Sequence, residues 1–503
     1  MPIHFDVPTP AAAPGSLQVR PAKLRAWIES LPLTAAFESG RQLLAHAQAL
    51  AGTVLDAGTR LELLELHAGA AARLLPELER LYAESGPPLE PAARSALGLV
   101  RDYSSALVAG YKRVAADFEG KLLGSRAVAA ALRRAMHFAS LRMIAAYESY
   151  TPVPQGAWAD LHQVYVRAEE ARVAGDTDAE SKRSIGQQYA EVLLLSLSDP
   201  YRLGAGQLRR VLDEARRMSP AIVLHRKREA VRGQYLVSCD TDRPPKPALS
   251  ANEDTGGPNW RLLDPTPALR HVQAAIESQQ PLGPGGRALL EKVARLWADP
   301  PKRTSRRDPT EGTAAICAGL QTVGQLISVE SKADLLTQDE SLRKGITMPL
   351  LAVLAEDDSG PLPVHEWEVL NQSAGGLRVR RSGGPQSVGV GEVVAIRLPG
   401  KPRWSIGAAR WITLYDSGGM EFGLQFMAEH ARTVRVRDWG GYTKAGLYFE
   451  PYDNEPPKLL TPPETFSERK EYELEHEEER ILVRAVRMRE RTNRFELFEV
   501  SLA

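Results

Sequence analysis

The chain has 503 residues, 43% apolar and 25% charged, with 63 Lys and Arg balancing 63 Asp and Glu. This is globular composition at a length suited to roughly three domains, and it excludes wholesale disorder and collagen-like or low-complexity designs. Zero net charge argues against a surface devoted wholly to DNA or acidic membranes, and leaves room for local basic patches.

The two cysteines, Cys239 and Cys317, exclude a disulfide scaffold, offer no metal-ligand spacing and fit a reducing compartment. No apolar run approaches the ~20 residues of a membrane-spanning helix. Met1–Pro14 lacks the basic and apolar regions of a signal peptide. The expectation is a soluble cytoplasmic protein with no membrane insertion.

From Ala22 to about Arg217, Ala, Leu, Arg and Glu predominate, all good helix formers. In Arg60–Leu81, Leu61, Leu64, Ala68, Ala71, Leu75 and Leu78 recur at gaps of three and four, one apolar stripe on a helix. Similar stripes run through Arg94–Phe118, Ser125–Tyr150, Ala157–Ala174 and Thr177–Leu197. Breakers stand at Gly86-Pro87-Pro88, Thr151–Pro154 and Asp199-Pro200. Residues 1–220 therefore read as a helical bundle or solenoid-like region, without a clean repeat.

Residues 221–300 read as a connecting region. Two short strands are expected at Ala221–His225 and Gln234–Cys239, a loop at Ala248–Asn259, and helices at Ala268–Ser278 and Gly286–Trp297. From 301 to 435 the pattern is β. Runs at Ala314–Leu320, His365–Leu370, Gly376–Arg380, Val393–Leu398, Ser405–Leu414 and Glu421–Phe426 suggest a small antiparallel barrel. Thr322–Thr347 reads as a helix and loop inserted after its first strand. A second, smaller β unit is expected at 436–503, with strands at Ala445–Glu450, Lys458–Leu460, Glu471–Glu475, Arg480–Met488 and Arg494–Val500.

Two motifs stand in the barrel region. Lys302-Arg303-Thr304-Ser305-Arg306-Arg307 is a basic segment just before the first β run, and Asn371-Gln372-Ser373-Ala374-Gly375-Gly376 enters a strand continuing through Arg378 and Arg380. Together they resemble the RxxxR (Arg303, Arg307) and (D/N)xSxxG (Asn371, Ser373, Gly376) signatures of the PilZ domain, over residues 302–432. The whole layout is similar to large bacterial PilZ proteins with a helical N-terminal region. The resemblance implies a receptor for cyclic di-GMP, with Arg303, Arg306, Arg307, Asn371, Ser373, Gly376, Arg378 and Arg380 around the ligand. The Arg307–Asn371 spacing is longer than a compact PilZ domain has, and a Lys302/Arg306 register stays open.

Elementary chemistry agrees. Guanine presents N7 and O6 to an arginine fork, and guanidinium groups also grip phosphates bidentately and stack on bases. Asn371 and Ser373 offer short donors and acceptors. Gly376 allows close backbone approach or a positive φ. A segment with several like charges is expected to order on an anion.

Other features have plainer readings. Arg378 and Arg380 line a ligand surface or, the favoured alternative, a solvated strand face. Trp411 stacks on a base or, preferably, fills the barrel core. Tyr201–Gly233, with nine Lys and Arg against three Asp and Glu, reads as a solvated helix and hairpin edge. The six glutamates of Glu471–Glu479 read as an exposed strand edge that resists pairing. His46 and His67 read as structural. No GK[ST] loop, HExxH or GxSxG pattern occurs, so neither an enzyme nor a resident cofactor is expected. The resulting expectation is a cyclic di-GMP effector that alters contacts between its helical region and a protein partner, in motility, pilus or surface-polysaccharide control, without DNA binding. The alternative is a PilZ-like scaffold that does not bind the ligand.

Overall fold

The computed structural model describes residues 5–7, 17–32, 34–83, 85–118, 124–178, 181–204, 206–226, 233–248, 259–278, 286–298, 308–336, 362–384, 388–451, 455–477 and 479–503. Two compact units emerge, Met1–Tyr201 with Gly206–Lys302, and Arg303–Ala503 with Arg202–Ala205.

The first unit opens with helices α1 (Pro21–Ser30), α2 (Ala36–Gly52), α3 (Ala57–Ala83), α4 (Pro91–Asp117), α5 (Ser125–Glu148), α6 (Ala157–Glu170), α7 (Ile185–Leu197) and α8 (Gln207–Met218). Helix α3 buries more than the predicted stripe, adding Leu63, His67, Ala70 and Leu74, because it is packed on more than one side. The stripe expected from Thr177 becomes helical only at Ile185. There the Ser184 hydroxyl accepts from the Gln187 backbone at 3.1 Å while the Gln187 side chain accepts from the Ser184 backbone at 2.9 Å, a capping box that fixes the start.

Beyond α8, strands β1 (Leu224–His225), β2 (Tyr235–Ser238), β3 (Lys246–Pro247) and β4 (Trp260–Leu263) form a small sheet in the order β1-β4-β2-β3. Helices α9 (Thr266–Glu277) and α10 (Gly286–Ala298) follow. The buried Trp297 indole donates to the Leu194 carbonyl at 3.1 Å and to Ser198 at 2.9 Å, tying α10 to the end of α7. The expected loop Ala248–Asn259 lies mostly outside the described residues.

Several polar groups in the helical interior bond one another inside the unit. His46, His67 and Tyr103 form a chain with 2.9 Å links, and burial, then His46, pushes the His67 imidazole down to about 3, so it stays neutral. In the basic stretch, Arg209, Arg216 and Arg226 meet Glu148, Glu191 and Glu169 at 3.0, 3.3 and 2.8 Å. Those arginines therefore complement acidic helices of their own unit.

The second unit holds β5 (Asp308–Pro309), β6 (Thr313–Ala318), α11 (Leu320–Leu336), β7 (His365–Ser373), β8 (Gly376–Arg381), β9 (Val393–Arg397), β10 (Ser405–Leu414) and β11 (Met420–Ala428). The strand order is β5-β7-β6-β9-β10-β11-β8, and pairing of β7 with β8 closes six of them into an antiparallel barrel with β5 beside β7. The expected inserted helix is α11; its loop lies outside the described residues. A second closed barrel follows from β12 (Arg432–Arg437), β13 (Thr443–Phe449), β14 (Lys458–Thr461), β15 (Glu471–His476), β16 (Glu479–Arg491) and β17 (Glu496–Leu502), in the order β12-β13-β14-β17-β16-β15. The architecture is thus a helical region followed by two small antiparallel barrels.

Strand β12 was not foreseen, and it changes the reading of the glutamate run. β15 is no edge, since it pairs with β12 on one side and β16 on the other. Its glutamates face basic neighbours, Glu471 opposite Arg484 at 2.7 Å and Glu473 near Arg480 at 3.3 Å. Opposite charges across strands satisfy one another where an exposed edge was expected.

One half-buried pair of carboxyls in the helical unit, Glu79 and Glu148, carries a pH signature. Burial, and then the charge of Glu148, push the Glu79 carboxyl from 4.5 up to about 7, against the opposing pull of Arg209. Between those pH values the unfolded chain releases a proton that the folded chain keeps, so this group lowers stability as pH rises. Glu79→Gln is expected to raise the melting temperature of the helical unit at pH 7.5 and to leave it nearly unchanged at pH 4.5, as calorimetry would show.

Candidate ligand-binding face of the first barrel

Alternation along the strands sorts the residues of this barrel. On β8, Leu377 and Val379 point into the core and Arg378 and Arg380 outward; on β11, Met420, Phe422 and Leu424 point in and Glu421 faces the other side with Gly423. Inside, the Trp367 and Phe422 rings meet edge to face at 4.9 Å. Outside, the antiparallel registers line up rows across four strands. Asn371 on β7 lies opposite Arg378, Arg378 opposite Gly423, and Gly423 opposite Trp411 on β10. The next row runs Glu368, Arg380, Glu421 and Thr413.

Ser373 and Gly376 close the β7–β8 hairpin as a cross-strand pair, and the Ser373 hydroxyl donates to the Gly376 carbonyl at 3.3 Å. Gly376 needs no positive φ. A Cβ there would lie 2.0 Å from the Leu424 carbonyl oxygen, so the glycine serves the close approach of β8 to β11. Gly423 is required for another reason: a Cβ there would lie 1.9 Å from Trp411 Nε1. The indole lies across the gap that glycine leaves. Trp411 is therefore half-buried on the outer face, and the core reading favoured from sequence is corrected.

Glu421 is the hub. Its side chain is only 1% exposed, while those of Arg378 and Arg380 are 37% and 43% exposed. Arg378 Nε donates to Oε2 at 2.9 Å, with Nη2 on the same oxygen, and Arg380 Nε donates to Oε1 at 2.7 Å, with Nη2 at 2.6 Å. The Tyr415 hydroxyl is a third partner. Burial pushes this carboxyl up, but hydrogen bonds from Arg378, Arg380 and Tyr415 outweigh it and hold the group below the ordinary carboxylate range. The Arg378 guanidinium also lies 5.7 Å from the Trp411 ring, within cation–π range. The arginines are thus half-exposed and neutralised from beneath, not solvated on both sides.

Arg303, Arg306 and Arg307, with Lys302, lie outside the described residues. The chain is described again at Asp308, and there β5 pairs Asp308 with Gln372 and Pro309 with Asn371. The residue that follows Arg307 in sequence is thus paired to the strand carrying Asn371 and Ser373. Sequence reasoning missed this two-residue strand. It also missed Glu421, although the alternation Met420–Leu424 placed Glu421 and Gly423 on one face. Among the described residues no cluster of His, Cys, Asp and Glu suits a metal ion, and no helix is long and apolar enough to cross a membrane.

A six-stranded barrel with an Asn–Ser hairpin rim, preceded by a helical unit, defines the class: the chain is a PilZ-domain protein with a helical N-terminal region. Residues 350–433 match the family model "Cyclic-di-GMP receptor FimW, middle PilZ domain", and residues 22–229 match "Cyclic-di-GMP receptor FimW, N-terminal domain". The PilZ match takes in Asn371–Arg380, Trp411 and Glu421 and begins downstream of Arg303–Arg307. The chain is similar to the Cyclic-di-GMP receptor FimW of Pseudomonas aeruginosa, 23% identical over 494 residues, covering 86% of this chain and 81% of that protein. No solved structure matches the chain.

The two glycines make separable predictions. Gly376→Ala forces β8 from β11 and is expected to cost roughly 3 kcal/mol or more of barrel stability, read by denaturant unfolding. Gly423→Ala displaces the indole, so tryptophan emission is expected to shift, with no such shift in a Trp411→Phe background.

Proposed function

We propose that the first barrel binds cyclic di-GMP on its outer face, beside the Asn371–Ser373 rim. The observation that carries this is the pairing of Asp308 with Gln372, which joins the end of the arginine segment to that rim. In this reading Arg303, Arg306 and Arg307 take the phosphates and guanine edges, the role the RxxxR resemblance implies. Asn371 and Ser373 supply short polar contacts. Trp411, seated in the space that Gly423 leaves with Arg378 beside it, offers a guanine a stacking surface. Arg378 and Arg380 supply outward donors to phosphate oxygens or to guanine N7 and O6.

The similarity to a protein named as a cyclic di-GMP receptor supports a receptor role. Ligand binding would then change the contacts of the helical unit with a protein partner. The likeness to large bacterial PilZ proteins is what supports motility, pilus or surface-polysaccharide control as the setting. Titration calorimetry tests the reading. The wild type is expected to bind saturably, with Arg307→Ala and Asn371→Ala at least tenfold weaker, and the dinucleotide recovered intact by chromatography. Equal heats from wild type and Arg307→Ala overturn it.

A second reading, a scaffold that binds no dinucleotide, draws on Glu421, which already occupies both arginines of the face. Protein that gives no heat with cyclic di-GMP yet retains a partner in pull-down would favour it.

A further inference from the structure

Among the described residues, the buried Glu421 carboxylate is the one acidic group paired with both arginines of the face, yet it is itself only 1% exposed and out of a ligand's reach. We infer that Glu421 is a positioning residue that pre-orients Arg378 and Arg380 for the ligand. The inference rests on the cyclic di-GMP reading above.

Each guanidinium meets Glu421 side-on, through Nε and Nη2. That geometry leaves the end-on edge, Nη1 with the second Nη2 hydrogen, unused by the carboxylate. An end-on fork is the edge that suits a phosphate or the N7 and O6 atoms of guanine. The two arginines sit two residues apart on β8 and point to the same side, so their forks are presented side by side. An unheld arginine would lose rotamer freedom on binding; one already locked by charge-assisted bonds loses less. Glu421 is fixed in turn by Tyr415 and by its place in β11, between the core residues Met420 and Phe422. The same lock holds Arg378 near the Trp411 ring, so the stacking surface and the fork are set together.

Calorimetric titration of wild type, Glu421→Gln and Glu421→Asp with cyclic di-GMP tests this, alongside melting curves and tryptophan emission of the free proteins. Glu421→Gln keeps the shape and removes the charge; it is expected to weaken binding about tenfold, the order of one lost charge-assisted contact, and to shift Trp411 emission as Arg378 comes loose. Glu421→Asp, one methylene shorter but still charged, is expected to recover part of that affinity, and it serves alone if Glu421→Gln does not fold. Glu421→Gln binding as tightly as wild type overturns the inference and leaves the ligand assignment intact; where only Glu421→Asp folds, affinity and Trp411 emission both unchanged from wild type overturn it. Wild type that binds no cyclic di-GMP overturns the assignment, and the inference with it.

Discussion

The register of β8 against β11 decides what the first barrel can do. Side chains alternate along a strand, so a slip of one residue would turn Arg378 and Arg380 into the core and drive Leu377 and Val379 into water. Gly376 helps pin the register, because only a residue without a Cβ fits against the Leu424 carbonyl where β8 begins. Once it is pinned, Arg378 falls opposite Gly423 and Arg380 opposite Glu421. The row from Asn371 to Trp411 follows from strand pairing alone, with no loop needed to arrange it.

The second barrel belongs to the same unit by its apolar contacts. Val323, Leu326 and Ile327 on α11 share one buried cluster with Val393, Ala395 and Trp404 of the first barrel and with Leu447, Phe449, Leu460 and Leu497 of the second. The inserted helix is therefore core, not ornament. Polar links reinforce the junction: Arg410 reaches Glu490 at 2.8 Å and Arg494 approaches Glu392 at 3.6 Å. Burial of this kind stabilises at about 25 cal/mol per Å², well above what exposed ion pairs add. The two barrels are thus expected to unfold together.

Much of this was legible where a single period governed the chain. Ser405–Leu414, an apolar run bounded by turn residues, is a strand with those bounds, and the long helices form where their apolar stripes run. What escaped depended on partners distant in sequence. The glutamates of β15 looked like an edge because their partner β12, reached by a short connection from β11, was absorbed into the end of the first barrel. Trp411 looked like core because size and hydrophobicity outvoted alternation; the missing side chain of Gly423, supplied by another strand, gives the indole its place. Asn371 and Ser373 were legible as a motif, whereas Glu421 was a lone acid whose meaning arises only from register. The two-residue β5, with a proline that cannot donate to a ladder, carries almost no sequence signal.

The charge on the outer face bears on how a dianion could be held there. Arg378 and Arg380 both pair with Glu421 beneath them, and the exposed Glu368 lies opposite Arg380. Two guanidiniums against two carboxylates give this patch little net field. Its contribution to binding is then directional, through oriented donors and a flat indole, and not the pull of uncompensated charge. On the proposed reading, most of the attraction for two phosphates would come from Lys302, Arg303, Arg306 and Arg307, four cations in six residues against the single carboxylate of the adjoining Asp308. Such a division would set specificity on the rigid barrel and charge on the segment leading into β5. It would also give the pairing of β5 with β7 more weight than its two residues suggest, because that pairing ties Asp308, the residue after Arg307 in sequence, to the strand of Asn371 and Ser373.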